Sequence, residues 1–410
     1  MSSRNLIRFL LLNVIYVGYI ALYPSVFRIV GYMYTFDVEF SWIRLIFGLM
    51  PILLYFCLSI SLSIHYILFL DIIFISNILP ALVVFTYVNF GVLQAVCLMV
   101  PMIMACLLGY IARERVPKAN ISFKYPITGA FVIIFMILFI FFGYVFGVVN
   151  LNLRLFEVLQ NVYGVREKSI PLFLSYLLGW VPIIILPALL LRKTINSKTR
   201  LMFLVIFIML FEVILFTSFA IKIHFLYFLY MLLVLIIYNY NRNLIFIVPY
   251  IIPCIVLLCT FIFQYLSPFT DRFFYLIGVN TFYYLDYFSS NELRFFEGGF
   301  LGFGIEVYGI PPGYIIDNEY YQGLGVNQSA GAIPTIYSDL GLLGLFVLGV
   351  ILHQIYFLLS RLKKLDDGYF AALIILCGLM TANHQINMIF ISNGVLIVLF
   401  FAVLAPKANT

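Results

Sequence analysis

The sequence predicts an all-α integral membrane protein with about twelve transmembrane helices and one large outer loop between helices nine and ten. Three observations carry this. First, of 410 residues 65% are hydrophobic and only 10% charged, with a mean hydropathy of +1.13, whereas a soluble domain carries about 25% charged residues. No water-soluble fold hides that much apolar surface, so the bilayer is its solvent. Second, apolar runs of about 20 residues recur along the chain. Third, the pattern breaks once, from about Ser267 to Gln328, into a polar stretch rich in Tyr and Gly. Long irregular connections are usually functional or disordered, and retained aromatics argue against disorder.

The expected spans are 6–25, 43–63, 66–88, 90–111, 127–149, 171–191, 201–219, 223–240, 244–265, 330–358, 369–385 and 387–405. Pro51, Pro80 and Pro101 interrupt the 43–111 region. The N-terminal charge pattern of Met1 to Arg8 resembles a signal peptide, but more spans follow and no small-residue cleavage site is present, so it reads as a retained first helix. The 44 Phe and 30 Tyr suit lipid-facing helices and interfacial belts. The six cysteines all fall in apolar runs without a CxxC pair, which reads as small buried residues.

Charge asymmetry orients the chain. With the N-terminus inside, the inner connections hold Arg4 and Arg8, the cluster Arg113, Arg115, Lys118 and Lys124, then Arg192, Lys193, Lys198 and Arg200. Arg242, Arg361, Lys363, Lys364 and Lys407 follow, making fifteen of the 23 Lys and Arg. Both termini are then cytoplasmic, and two segments lie outside, about 150–170 and 267–328. One membrane domain, 1–410, carries both. The net charge of +6 belongs to inner loops; no basic patch is interleaved with a nucleic-acid-reading motif.

The remaining charge gathers at the outer face. The smaller loop supplies Arg154, Glu157, Arg166, Glu167 and Lys168. The hairpin before the eighth span ends in Lys222 and His224. The large loop supplies Asp271, Arg272, Asp286, Glu292, Arg294, Glu297, Glu306, Asp317 and Glu319. Three segments that each bring a cation suit a diphosphate, since Arg offers planar bidentate donors that do not titrate. The plainer reading of each outer Arg is interfacial snorkelling or a surface ion pair, and Lys222 can simply reach outer water. Glu292 and Glu297 flank Arg294, either as general bases within reach of an acceptor hydroxyl or as its salt-bridge partners. The aromatic run including Tyr283 and Tyr284 either lies in the interface or lines a groove. His384, among Asn383, Gln385 and Asn387, marks a polar cluster facing a wet cavity. Asp71 and Glu212 fall within spans, where they pair internally or carry protons. No Asp/Glu cluster has metal-ligand spacing, and the four histidines are scattered, so no metal and no cofactor are expected.

Two stretches carry a resemblance. NELRFFEGGFLGFGIEVYG (291–309) followed by NQSAGAIPTIYSDLGLLGLF (327–346) resembles the late outer loop and following helix of bacterial O-antigen polymerases, relatives of the O-antigen ligases. The entry Ser338-Asp339-Leu340-Gly341-Leu342-Leu343-Gly344 fits that pattern, and Lys222 stands where related proteins often have Arg. The resemblance implies a GT-C-like membrane glycosyltransferase at the periplasmic face of the bacterial inner membrane, serving lipopolysaccharide or related polysaccharide biosynthesis. Its partners would be undecaprenyl-diphosphate-linked oligosaccharides as donor and acceptor, membrane lipid, and a chain-length regulator protein. It implies Arg294, Arg272, Glu297 and Glu292 as catalytic, and Arg166, Lys222, Tyr283, Tyr284, Asn327, Gln328 and His384 as diphosphate- or glycan-binding. O-antigen ligases place a His then Asn before the GLLG segment; here that stretch is Asn327-Gln328-Ser329-Ala330, which favours polymerase over ligase and leaves the base unassigned. The rival from another class is a lipid-linked oligosaccharide flippase, against which stand the undetected similarity between halves and the late external loop.

Overall fold

The computed structural model describes residues 3–30, 38–112, 222–297, 306–323, 331–360 and 367–383, together with positions 202, 206, 209, 210, 325, 327 and 328. Every regular element among the described residues is a helix. Six of these helices are long and apolar enough to cross a membrane. The chain is therefore an α-helical, membrane-embedded protein by length and composition of its helices. The expected spans at 127–149, 171–191 and 387–405 lie outside the described residues, as does nearly all of 201–219.

The chain divides into two units, one of residues 1–117, 244–357 and 378–389, the other of 118–243, 358–377 and 390–410. In the second unit, α5 (Lys222–Tyr240) buries Tyr227, Tyr230, Met231 and Val234. Residues 370–376 are fully buried.

The first unit holds α1 (Ser3–Val30), α2 (Trp42–Ser59), α3 (Ile64–Tyr87), α4 (Val92–Ile111) and α6 (Val248–Ile262). Ser41 and Ser63 start α2 and α3, each hydroxyl accepting an N–H from the first turn. A π turn at Phe74–Ile78 widens α3 and lets the Asn77 side chain donate to the Ala382 carbonyl at 2.7 Å. Such turns recur inside helices at functional or packing irregularities. α3 is the core of the unit, with nearly all of its residues buried.

Two sequence expectations change here. The stretch 267–328 is not irregular throughout. Residues 267–290 form one helical run, α7, through a short α turn, a π turn at Asp271–Tyr275 and the helix Leu276–Ser290; α8 (Pro312–Tyr320) follows. Its polar composition hid the helix, because the polar side chains are spent on neighbours: Tyr275 on α1, Tyr283 on α8, Asn280 on Tyr321 and Tyr284 on Gln328, while Thr281 donates back to the Ile277 carbonyl. Tyr275 donates to the Tyr19 carbonyl at 2.7 Å, Phe274 stacks on Tyr19 at 3.7 Å, and Gly278 lies against the Pro80 backbone. The second change concerns Arg8. It is not a loop cation: it is 1% exposed and paired with Asp71.

That pair is the unit's polar centre. Asp71 takes Arg8 Nη2 (2.5 Å) and Tyr55 Oη (2.6 Å) on one oxygen, and Arg8 Nε (2.7 Å) and Tyr250 Oη (2.6 Å) on the other. Four bonds from α1, α2 and α6 satisfy both oxygens, which is the condition under which a buried ion pair is tolerable. Internal pairing is thus the role Asp71 plays.

Candidate functional site

The last helix of the site, α9 (Ala332–Ser360), is broken at Gly341, whose φ of 59° and ψ of −143° are open to glycine and costly for other residues. The break interrupts the ladder that would occupy the carbonyls of Ser338 and Asp339. The chain after α7 takes them instead. Arg294 N–H donates to the Ser338 carbonyl at 2.9 Å and Phe295 N–H to the Asp339 carbonyl at 3.1 Å. To do this, Phe295 and Phe296 adopt φ of 49° and 63°. Left-handed backbone at two successive bulky residues is strained, and such strain concentrates at functional sites.

This turn aims Arg294 inward. The residue is 5% exposed. Its Nη2 donates to the carbonyls of Glu297 (3.2 Å) and Ile310 (3.4 Å). Nε stands 3.5 Å from Glu297 Oε2, and Nη1 stands 3.8 Å from Asp339 Oδ1. Glu297 Oε1 accepts the backbone N–H groups of Val307 (3.0 Å), Tyr308 (2.8 Å) and Gly309. Burial pushes its carboxyl up, but the amides of Gly309, Tyr308 and Val307 together with Arg294 outweigh it and hold the group below its usual range. Three polar atoms of this cluster are buried without a hydrogen bond: Arg294 Nε, Glu297 Oε2 and Asp339 Oδ1.

Near the cluster, α7 and α8 are knitted together with Tyr321, Gly325 and Gln328. Asp317 accepts from Gly325 N–H (2.7 Å) and Gln328 Nε2 (3.1 Å). Tyr284 donates to the Gln328 carbonyl at 3.0 Å, and Tyr321 to Asn280 at 2.7 Å. Asp286 accepts from Tyr320 (2.7 Å) and Gln94 (3.3 Å). Tyr283 stacks on Tyr320 at 4.1 Å.

The expected site residues fare unevenly. Arg294 and Glu297 come together, but as mutual partners. Glu297, with its proton affinity lowered and three amides on one oxygen, is poorly suited to be a general base. Tyr283 and Tyr284 are 3% and 0% exposed; they are packing residues of α7 and not a glycan groove. Gln328 is buried and spent on Asp317, while Asn327 is exposed. Glu292 is exposed, with its carbonyl accepting from Tyr308. Arg272 is exposed in the π turn that opens α7. About 27 Å of helix separates that turn from Ser290, so Arg272 sits at the opposite end of α7 from the Arg294 cluster. The expected convergence of outer cations on one diphosphate is not the arrangement of these two. Lys222 opens α5 in the other unit. Arg166 and His384 lie outside the described residues. Sequence reading missed Asp339 as a site residue, because it stands inside an apolar run; its adjacency to the helix-breaking Gly341 was the available signal.

The fold and site define an α-helical membrane protein with a buried arginine–carboxylate cluster at a broken helix. Comparison with protein-family models, with curated proteins and with solved structures finds no match to this chain.

Proposed function

We propose that this protein is a membrane glycosyltransferase that polymerises lipid-diphosphate-linked oligosaccharide repeat units, as an O-antigen polymerase does, at the periplasmic face of the inner membrane. The observation that supports it most is that described residues of the two segments resembling that family, 291–297 of the first and 338–339 of the second, meet at Arg294. Its N–H caps the Ser338 carbonyl, and its guanidinium stands beside Asp339. Segments that merely connected spans would have no need of such a cluster.

In this reading the acceptor sugar hydroxyl attacks the anomeric carbon of the donor, and the lipid diphosphate leaves. Arg294 supplies a fixed positive charge toward the departing diphosphate, pre-oriented by its tethers, which is the electrostatic form of catalysis. The reaction runs without a divalent ion.

The test has two parts. A deletion strain should lose long surface glycan chains and keep a single repeat unit; loss of all surface repeat units would instead fit a flippase or a ligase. Purified protein in liposomes should lengthen lipid-linked repeat units in excess chelator. Activity that stops in chelator and returns with magnesium would overturn the metal-independent part of the reading.

A further inference from the structure

The reaction just proposed needs a group to accept the hydroxyl proton, and three carboxylates stand on or beside the Arg294 turn. Glu292 is exposed on the surface. Glu297 is tied down by the Val307, Tyr308 and Gly309 amides. Asp339 differs from both. Its side chain keeps 12% of its surface open against 5% for Glu297, and one backbone amide, that of Phe296, bonds its carboxylate where Glu297 takes three. The break at Gly341 ends the helix two residues later and fixes the Asp339 backbone through Phe295 N–H.

We propose that Asp339 is the general base of the transfer. This rests on the glycosyltransferase reading. The acceptor hydroxyl oxygen forms a bond to the donor anomeric carbon, and the carbon–oxygen bond to the lipid diphosphate breaks. The bonding pair leaves with the diphosphate, and the hydroxyl proton passes to the Asp339 carboxylate. Nothing is oxidised or reduced, and the proton later returns to solvent or to the leaving diphosphate. Asp339 Oδ1 and Arg294 Nη1 stand 3.8 Å apart, so the carboxylate and the cation that would face the leaving diphosphate belong to one cluster. The charged and titratable groups facing Asp339 are Arg294 and Glu297 from the turn and Tyr284 from α7.

The test uses the full-length protein in liposomes with lipid-linked repeat units extracted from a strain lacking it. Asp339→Asn keeps the shape beside Arg294, so a purely structural role would leave kcat within about threefold. General-base loss should cut kcat at least about 100-fold at unchanged thermal unfolding and with KM within about threefold. Formate should return part of the rate to Asp339→Ala. For the wild type, log kcat should fall with unit slope toward acid. An Asp339→Asn protein with near wild-type kcat, or a folded Asp339→Ala that formate does not help, overturns the assignment. If neither variant folds, a wild-type profile flat from about pH 4.5 to 8 overturns it. A wild type that lengthens nothing removes the functional reading itself, whereas a wild type that elongates beside an equally active Asp339→Asn removes only the base.

Discussion

Arg8 and Asp71, 63 residues apart in sequence, meet in a bidentate ion pair with side chains 1% and 0% exposed. The pair joins α1 to α3, while Tyr55 and Tyr250 bring in α2 and α6. Replacing Asp71 with Ala leaves a buried guanidinium without its anion, at a cost of about 3–5 kcal/mol. Thermal unfolding of the detergent-purified variant should show this as a large drop in Tm. An apolar replacement of both partners should recover much of the loss, because it removes the desolvation cost as well as the attraction. A Tm for Asp71→Ala within error of wild type would contradict the clamp.

α7 packs closely on α3 at Gly278, where an added Cβ would stand 2.5 Å from the Pro80 carbonyl oxygen. Since that neighbour is backbone, it cannot swing away. Gly278→Ala should therefore destabilise by about 1–3 kcal/mol, and Gly278→Val by more. Unfolding in a denaturing detergent titration measures both; equal stability of Gly278→Val and wild type would show that α7 does not pack as described.

The Glu297 cradle makes a pH prediction. Its folded proton affinity lies below the unfolded one, so the stabilisation is complete above the unfolded value of about 4.3 and fades as pH falls through the lower folded value. The Tm difference between wild type and Glu297→Gln should be constant from about pH 8 to 5 and shrink below about pH 4. A difference that grows toward acid has the wrong sign and would reject the cradle.

Arg294 donates to two carbonyls from one nitrogen while facing two carboxylates with the others. A lysine ammonium is a point charge and cannot span that set. Arg294→Lys and Arg294→Ala should both shorten the surface glycan chains, with Lys rescuing poorly at normal membrane abundance. Full-length chains from the Arg294→Ala strain would end the assignment.

The orientation is open to direct measurement. In a protein stripped of native cysteines, position 118 should stay unlabelled by an impermeant thiol reagent, and the exposed position 319 on α8 should react. Position 317 is a poor reporter, since Asp317 is 0% exposed. Labelling at 118 but not at 319 would invert the topology.

The sequence by itself determined the class of the protein and eight of its helices. Apolar runs over 6–25, 43–63, 66–88, 90–111, 223–240, 244–265, 330–358 and 369–385 correspond to α1 to α6, α9 and α10 (Asp367–Asn383), because burial in lipid demands unbroken apolar length and that is a one-dimensional property. It also singled out Arg294, Glu297 and the Ser338–Gly344 entry as positions of interest. What only the tertiary structure decided is who faces whom. Composition could not tell that the polar run 267–290 is a helix, since Tyr and Asn lower the apolar score whether they meet water or a neighbour's carbonyl. Spacing could not pair Arg8 with Asp71, nor turn Glu297 toward three amides and set Asp339 beside Arg294. Those assignments depend on contacts between residues far apart in the chain, and on a backbone break at Gly341 whose consequences are felt some 46 residues earlier, at Phe295.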